Sequence, residues 1–269
     1  EKAKSAGEES LRGFLAKHLN VEIGLNLQSD RWAGADFWES AKDQSLTTLD
    51  ELIDRSEVVV CGIDGGGLDD LLGLAFIGRE KVTRKWLVWV HAWVHRIALE
   101  RRKEIAPALL DFEKQGDLTI VTHPGDDVAD VSDMICYVRD TGLLAEDKFL
   151  GVDPAGIGEI INELTSDERG FNTDQMVAVP QGWKLNGAIK TTERKVAGGE
   201  LIHAGQPMMA WCVGNARVED RGNAILITKQ ASGKAKIDPL MAIFNAVSIM
   251  NTNPTSGRSV YEDRGLRFV

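Results

Sequence analysis

The run Val58-Val59-Val60-Cys61-Gly62-Ile63-Asp64 is the most constraining stretch of this chain. It is short, apolar and rich in β-branched residues, ends on a carboxylate, and is cut off by Gly65-Gly66-Gly67. Such a run, closed by glycines, predicts a buried strand rather than a helix. Residues 71–78 return soon enough to be its antiparallel neighbour, and the Trp-rich run 85–94 predicts a third strand. An acid where a buried strand ends is held by rigid backbone yet faces a mouth. Asp153 closes Phe149-Leu150-Gly151-Val152-Asp153-Pro154, and Asp238 stands in Lys236-Ile237-Asp238-Pro239 in a comparable way. The three acids are expected to meet.

The remaining pattern alternates. Helical stripes are predicted over 8–19, 46–53, 100–115, 127–140, 157–164, 184–196, 207–213 and 239–250, and extended pieces over 118–122, 149–153, 176–179 and 224–229. Three antiparallel strands followed by alternating strands and helices imply an α/β protein with a mixed central sheet and helices on both faces. That order is the one used by the ribonuclease H-like fold. The segment 20–44, with Trp32, Phe37 and Trp38 among polar residues, reads as an arm docking by its aromatics. Expected boundaries are an N-terminal helix and linker over 1–50, the main domain over 51–250, and a flexible tail over 251–269 rich in Asn, Pro, Ser and Gly. His91 and His95 are four apart, but in a strand-like run without a third ligand they read as packing residues.

Carboxylates converging on one sheet edge suit Mg²⁺ or Mn²⁺, which prefer oxygen ligands. Two such ions about 3.5–4 Å apart clamp the attacking and leaving oxygens of a phosphodiester displacement. Asp64, Asp153 and Asp238 are the candidate ligands, with Asp70 a further one. Asp153 and Asp238 each precede proline, so a plain helix-capping role stays open for both. Asp69 and Asp70 could likewise cap the element that follows them.

The net charge of −10 over 269 residues argues against a protein that simply coats nucleic acid. Between Pro180 and Lys236, however, nine Lys/Arg face four acids. Lys184, Lys190, Arg194, Lys195, Lys229 and Lys234 are the candidate phosphate-facing residues, the alternative being a solvated face. No stretch approaches the roughly 20 apolar residues of a membrane span. The three cysteines are far apart and form no CxxC pair, which points away from zinc and towards a reducing compartment.

Taken together, Gly62-Ile63-Asp64, Asp69-Asp70-Leu71 and Gly151-Val152-Asp153 resemble the nuclease part of tailed-bacteriophage large terminase subunits. So do Pro180-Gln181-Gly182, His203-Ala204-Gly205-Gln206-Pro207-Met208-Met209-Ala210-Trp211, Asn215, Lys229 and Lys236-Ile237-Asp238-Pro239-Leu240-Met241-Ala242. The resemblance covers about 32–250. It implies that Asp64, Asp153 and Asp238 bind two divalent metal ions and cut double-stranded DNA during genome packaging in the host cell cytoplasm. It makes His203 and Asn215 supporting residues. It also implies an ATPase domain of the same subunit, a small terminase subunit and a portal as partners, and no membrane.

Large terminases carry a GxxxxGK[ST] phosphate loop, and none occurs here. The resemblance is therefore to the nuclease half, with 8–44 as a connecting segment, and this chain is not expected to hydrolyse ATP. The start at Glu1 rather than Met is what a fragment or a processed product would show. Two rival readings stay open at this point. The Gly65-Gly66-Gly67 turn also looks like the phosphate-binding turn of sugar kinases and actin-like ATPases, although Leu68-Asp69-Asp70 follows where a Thr or Ser is usual. The other is a catalytically silent docking module of a packaging motor.

Overall fold

The computed structural model describes residues 30–229 and 235–257. In chain order its helices are α1 (Ala35–Trp38), α2 (Leu49–Arg55), α3 (Arg96–Arg101), α4 (Ala106–Lys114), α5 (Asp126–Asp140), α6 (Gly158–Leu164), α7 (Asn186–Ala197), α8 (Pro207–Asn215) and α9 (Asp238–Met250). Its strands are β1 (Ser56–Gly65), β2 (Leu71–Glu80), β3 (Trp86–His95), β4 (Leu118–Val121), β5 (Leu150–Val152), β6 (Met176–Ala178), β7 (Leu201–His203), β8 (Ala216–Arg221) and β9 (Ala224–Lys229). A seven-stranded sheet runs β4-β3-β2-β1-β5-β6, with β7 also pairing β3, while β8 and β9 form a separate hairpin. The β1–β2 and β2–β3 pairs are antiparallel; β5 joins β1 in parallel and β6 joins β5 in parallel. This is the mixed sheet that the sequence pattern predicts.

Helix α9 lies against one face of this sheet, and three glycines let it come close. A Cβ on Gly62 would stand 2.2 Å from the Ala242 carbonyl oxygen, one on Gly73 2.7 Å from the Pro239 Cα, and one on Gly151 2.4 Å from the Asn245 carbonyl oxygen. Gly62 pairs with Gly151 across β1–β5, so the trough spans neighbouring strands. Gly78, an odd number of residues from Gly73, looks the other way, and there a Cβ would meet Leu52 of α2 at 3.0 Å. Helices therefore cover both faces. Burial on two sides explains why β1, β2 and β3 read as nearly continuous apolar runs.

Several local expectations are corrected. The span 100–115 is not one helix: α3 ends at Arg101 and α4 restarts at Ala106, with Pro107 in its first turn. Proline is tolerated there because its missing N–H has no intrahelical partner to lose. The helix expected over 46–53 begins at Leu49, after Thr48, which forms a capping box with Glu51. The basic helix starts at Asn186, behind a 3₁₀ turn over Gly182–Leu185. Strands β7 and β8 are not anticipated by the pattern, one being very short and the other, ARVEDR, strongly charged.

The start of the expected loose tail is pinned. Arg79 donates to Asn253 Oδ1 at 2.6 Å and to the Pro254 carbonyl at 2.9 Å, and Ser256 donates to the Glu57 carbonyl at 2.9 Å. Trp32 and Trp38 of the arm are buried, Trp32 edge-on to Phe244 of α9, whereas Phe37 is exposed. The helix expected over 8–19 and the tail beyond 257 lie outside the described residues. The three cysteines are buried and unbridged, and among the described residues no helix is long and apolar enough to cross a membrane.

Candidate active site

Pleat and register bring the acids together. Asp64 is two residues beyond Gly62 on β1 and pairs with Gly73, so its side chain shares the α9 face. It is 8% exposed. Ile63 pairs with Val152, the last registered pair of β1 and β5, so Asp153 emerges beside Asp64 on the neighbouring strand. Asp238 opens α9, with Pro239 after it, and its Cβ stands 3.0 Å from where a Cβ on Gly65 would be. Asp70 precedes β2, after a turn in which Gly65, Gly66 and Gly67 all take positive φ, a conformation that only glycine adopts freely.

The carboxylates feel one another. Burial pushes the Asp64 carboxyl up to about 8, reinforced by Asp238, Asp153 and Asp70, while the Asn245 amide opposes the shift. Burial likewise raises Asp238 to about 7, with Asp70 adding to it and Lys236 and Lys229 opposing. The Oδ2 atom of Asp238 is buried and has no hydrogen-bond partner among the described residues. Asp153 is half-buried, and its Oδ1 accepts from the Ala155 N–H at 2.9 Å; this closes a local turn and is not the helix cap left open above, because α6 begins only at Gly158, behind Ile157. Asp70 Oδ1 accepts from the Leu71 N–H at 3.0 Å and pairs with Lys236. Among the described residues no three His, Cys, Asp or Glu side chains are already closed around a point that would hold a metal ion. The acids are neighbours with part of their bonding committed elsewhere.

The side chains behind the acids are ones that the sequence reading does not single out. Asn245, the polar residue buried in the middle of α9, donates to the Ile63 carbonyl at 2.8 Å and accepts from Gln181 at 2.9 Å. Lys236 is 1% exposed. A lone Asn within an apolar helix, and a Lys between Ala235 and Ile237, are the signals that could have marked them.

The other candidates are spread out. Asn215 donates to the Lys236 carbonyl at 3.1 Å and so holds the approach to Asp238. His203 does not join the acids: its Nε2 donates to the Trp38 carbonyl at 2.7 Å, its Nδ1 accepts from the Gly205 N–H, and its ring stacks on Trp38. Burial lowers its basicity. It anchors the arm.

Lys229 is exposed yet close enough for its charge to act on Asp238. Lys184 is exposed beside Trp183, itself 61% exposed. Lys190 and Arg194 lie on the outer face of α7, opposite the buried Ala188, Ile189, Thr192 and Val196, and Lys190 is paired with Glu193 at 2.8 Å. Lys195 points elsewhere, to Glu200 and onto the Trp86 ring at 4.4 Å. Trp86 begins β3, six residues from the Ala92 that pairs with Gly73, which places Lys195 about 20 Å from the acids along the sheet. Lys234 lies outside the described residues.

The sequence model of one family, described as terminase large subunit, endonuclease domain, matches residues 2–253. Two curated relatives, both named terminase large subunit, come from Lactococcus phages p2 and SK1. They are 25% and 24% identical over 242 residues, 87% of this chain and 42% of theirs. The chain thus spans less than half the length of the curated relatives it matches. Among solved structures, that of the HK97 bacteriophage large terminase superposes with a TM-score of 0.65 at 20% identity, over 91% of this chain and 49% of that one. The sheet order and this superposition make the fold ribonuclease H-like.

Proposed function

This chain belongs to the terminase large subunit endonuclease domain family, and from that premise we propose that it is a metal-dependent endonuclease cutting double-stranded DNA during viral genome packaging. The observation that carries the reading is the meeting of Asp64, Asp153 and Asp238 at one end of the sheet, on the face occupied by α9.

The donor set fits hard divalent cations. It offers only carboxylate oxygens, and Asp238 Oδ2 has its hydrogen-bonding capacity unused. Asp64, Asp153 and Asp238 would hold two Mg²⁺ or Mn²⁺ ions, with Asp70 as a further oxygen donor. Such ions, when bound, supply Lewis-acid stabilisation of charge at the phosphate. The protein's own part is placement. Asp64 and Asp153 stand on strand ends fixed by the sheet, and Asp238 on a helix locked into the glycine trough. Asn245 and Gln181 fix the Ile63 carbonyl next to Asp64, so the first acid cannot drift along its strand. Burial raises the carboxyls of Asp64 and Asp238, so binding a cation there would also release protons.

Lys184, Lys190, Arg194 and Lys229 would meet the DNA backbone, contacts that carry little sequence information. Cleavage with little sequence preference follows. The partners of this reading are double-stranded DNA, the ATPase domain of the same subunit, the small terminase subunit and the portal, in the host cytoplasm. The test is nicking and linearisation of plasmid with Mg²⁺ or Mn²⁺, beside the Asp64→Asn protein. Intact plasmid with both metals at micromolar protein, or an active Asp64→Asn protein, would overturn the reading.

A further inference from the structure

Lys236 is an unusual residue to bury. Its side chain is 2% exposed, and its ammonium pairs with Asp70 Oδ1 while lying 3.5 Å from the Asp69 carbonyl oxygen. The backbone on either side is fixed. Ala235 and Ile237 are buried, and the Lys236 carbonyl accepts from Asn215 Nδ2 at 3.1 Å. The Asp69 carbonyl also accepts from Arg102 Nε at 2.7 Å, so the turn that presents Asp70 is held from two sides. A buried ion pair contributes little net stability, because desolvation offsets the attraction. Its location gives it a use: the pair stands inside the acid cluster, two residues before Asp238.

Resting on the nuclease reading above, we infer that Lys236 is a resident cation of the acid cluster, a positioning residue that holds Asp70 in the metal-free protein and competes with divalent ions for the site. Four carboxylates crowded without a counter-ion repel one another, and the ammonium relieves that repulsion before metal arrives. The same positive charge opposes an incoming divalent ion, so the protein trades metal affinity for metal-free order. Entry of an ion loosens Asp70 from Lys236 and makes its oxygen available. The role belongs to charge rather than shape, since the ammonium bonds to oxygen atoms alone among the contacts that define it.

The experiment is calorimetric titration of the chain with Mn²⁺, and with Ca²⁺ as a second probe, for wild type, Lys236→Met and Lys236→Arg, with melting curves in chelator alongside. Lys236→Met is expected to bind Mn²⁺ about tenfold more tightly and to melt at a lower temperature in chelator. Lys236→Arg is expected to stay near wild type in both. If Lys236→Met does not fold, the comparison is made between Asp70→Asn and Asp70→Asn/Lys236→Met, where losing the ammonium strands no Asp70 carboxylate; the double variant should bind Mn²⁺ more tightly. Unchanged or weaker Mn²⁺ binding on losing Lys236 overturns the inference while leaving the nuclease reading intact. A wild-type chain that binds no divalent ion overturns both.

Discussion

Asp64 carries a conflict that can be measured. Its carboxyl sits at about 8 in the folded protein against about 4 in an unfolded chain. The folded state therefore binds more protons, and stability falls as pH rises from about 4 to about 8, levelling off above that window. Asp64→Asn removes the group that must ionise. It is expected to raise metal-free stability at pH 8 by several kcal/mol, up to about 5, to flatten the decline with pH, and to abolish cleavage. Urea melts between pH 5 and pH 9 in chelator check the first two, and a destabilised Asp64→Asn protein would contradict them. Mn²⁺ binding should release protons, seen as a binding enthalpy that varies with the ionisation enthalpy of the buffer. Asp64 and Asp153 were legible in sequence because a carboxylate at the end of an apolar run is a local pattern, whereas Asp238 opens α9 and closes no strand. For Asn245 and Lys236 the sequence marks only a polar residue in apolar surroundings; their roles were not legible, since their partners Ile63 and Asp70 are 182 and 166 residues away.

At the scale of elements, the glycine trough and helix α9 form a matched pair. Gly62→Ala would put a Cβ within 2.2 Å of the Ala242 carbonyl oxygen, so the helix must retreat. A loss of about 3 kcal/mol or more is expected, together with reduced cleavage, because the retreating helix takes Asp238 with it. Gly187→Ala, on the open side of α7 with nothing near its added Cβ, is the control and should cost almost nothing. The basic elements divide in a similar way. Charge reversal at Lys184 and Lys229 is expected to weaken DNA binding and flatten its salt dependence. Reversal at Lys195, tied to Glu200 and Trp86, should lower thermal stability more than DNA affinity. Filter binding between 50 mM and 200 mM salt separates the two, and equal losses in DNA affinity would return Lys195 to the DNA-facing set. Most of α7 was legible from its charges and apolar spacing, though not the 3₁₀ turn that precedes it, and β7 after it is a three-residue strand too short to leave a sequence signal.

Seen whole, the long strands, their order and the terminal helix were readable because apolar periodicity is strong where both faces are buried. The ends of the domain were less so. Polar residues around 253–256 look like loose chain until Arg79, on β2, is seen to hold them. The aromatics of the arm reach the core itself through Trp32 and Trp38. Arg79→Ala should expose the end of α9 and lower the melting temperature by several degrees; an unchanged melt would make that anchor dispensable. The closing helix has one more consequence. On a ribosome, Asp64 and Asp153 are made 174 and 85 residues ahead of Asp238, and at ordinary elongation speeds the wait from the first acid to the third is about 10–30 s. Until α9 has been made and has packed into the glycine trough, the nascent sheet holds Asp64 and Asp153 without Asp238 beside them.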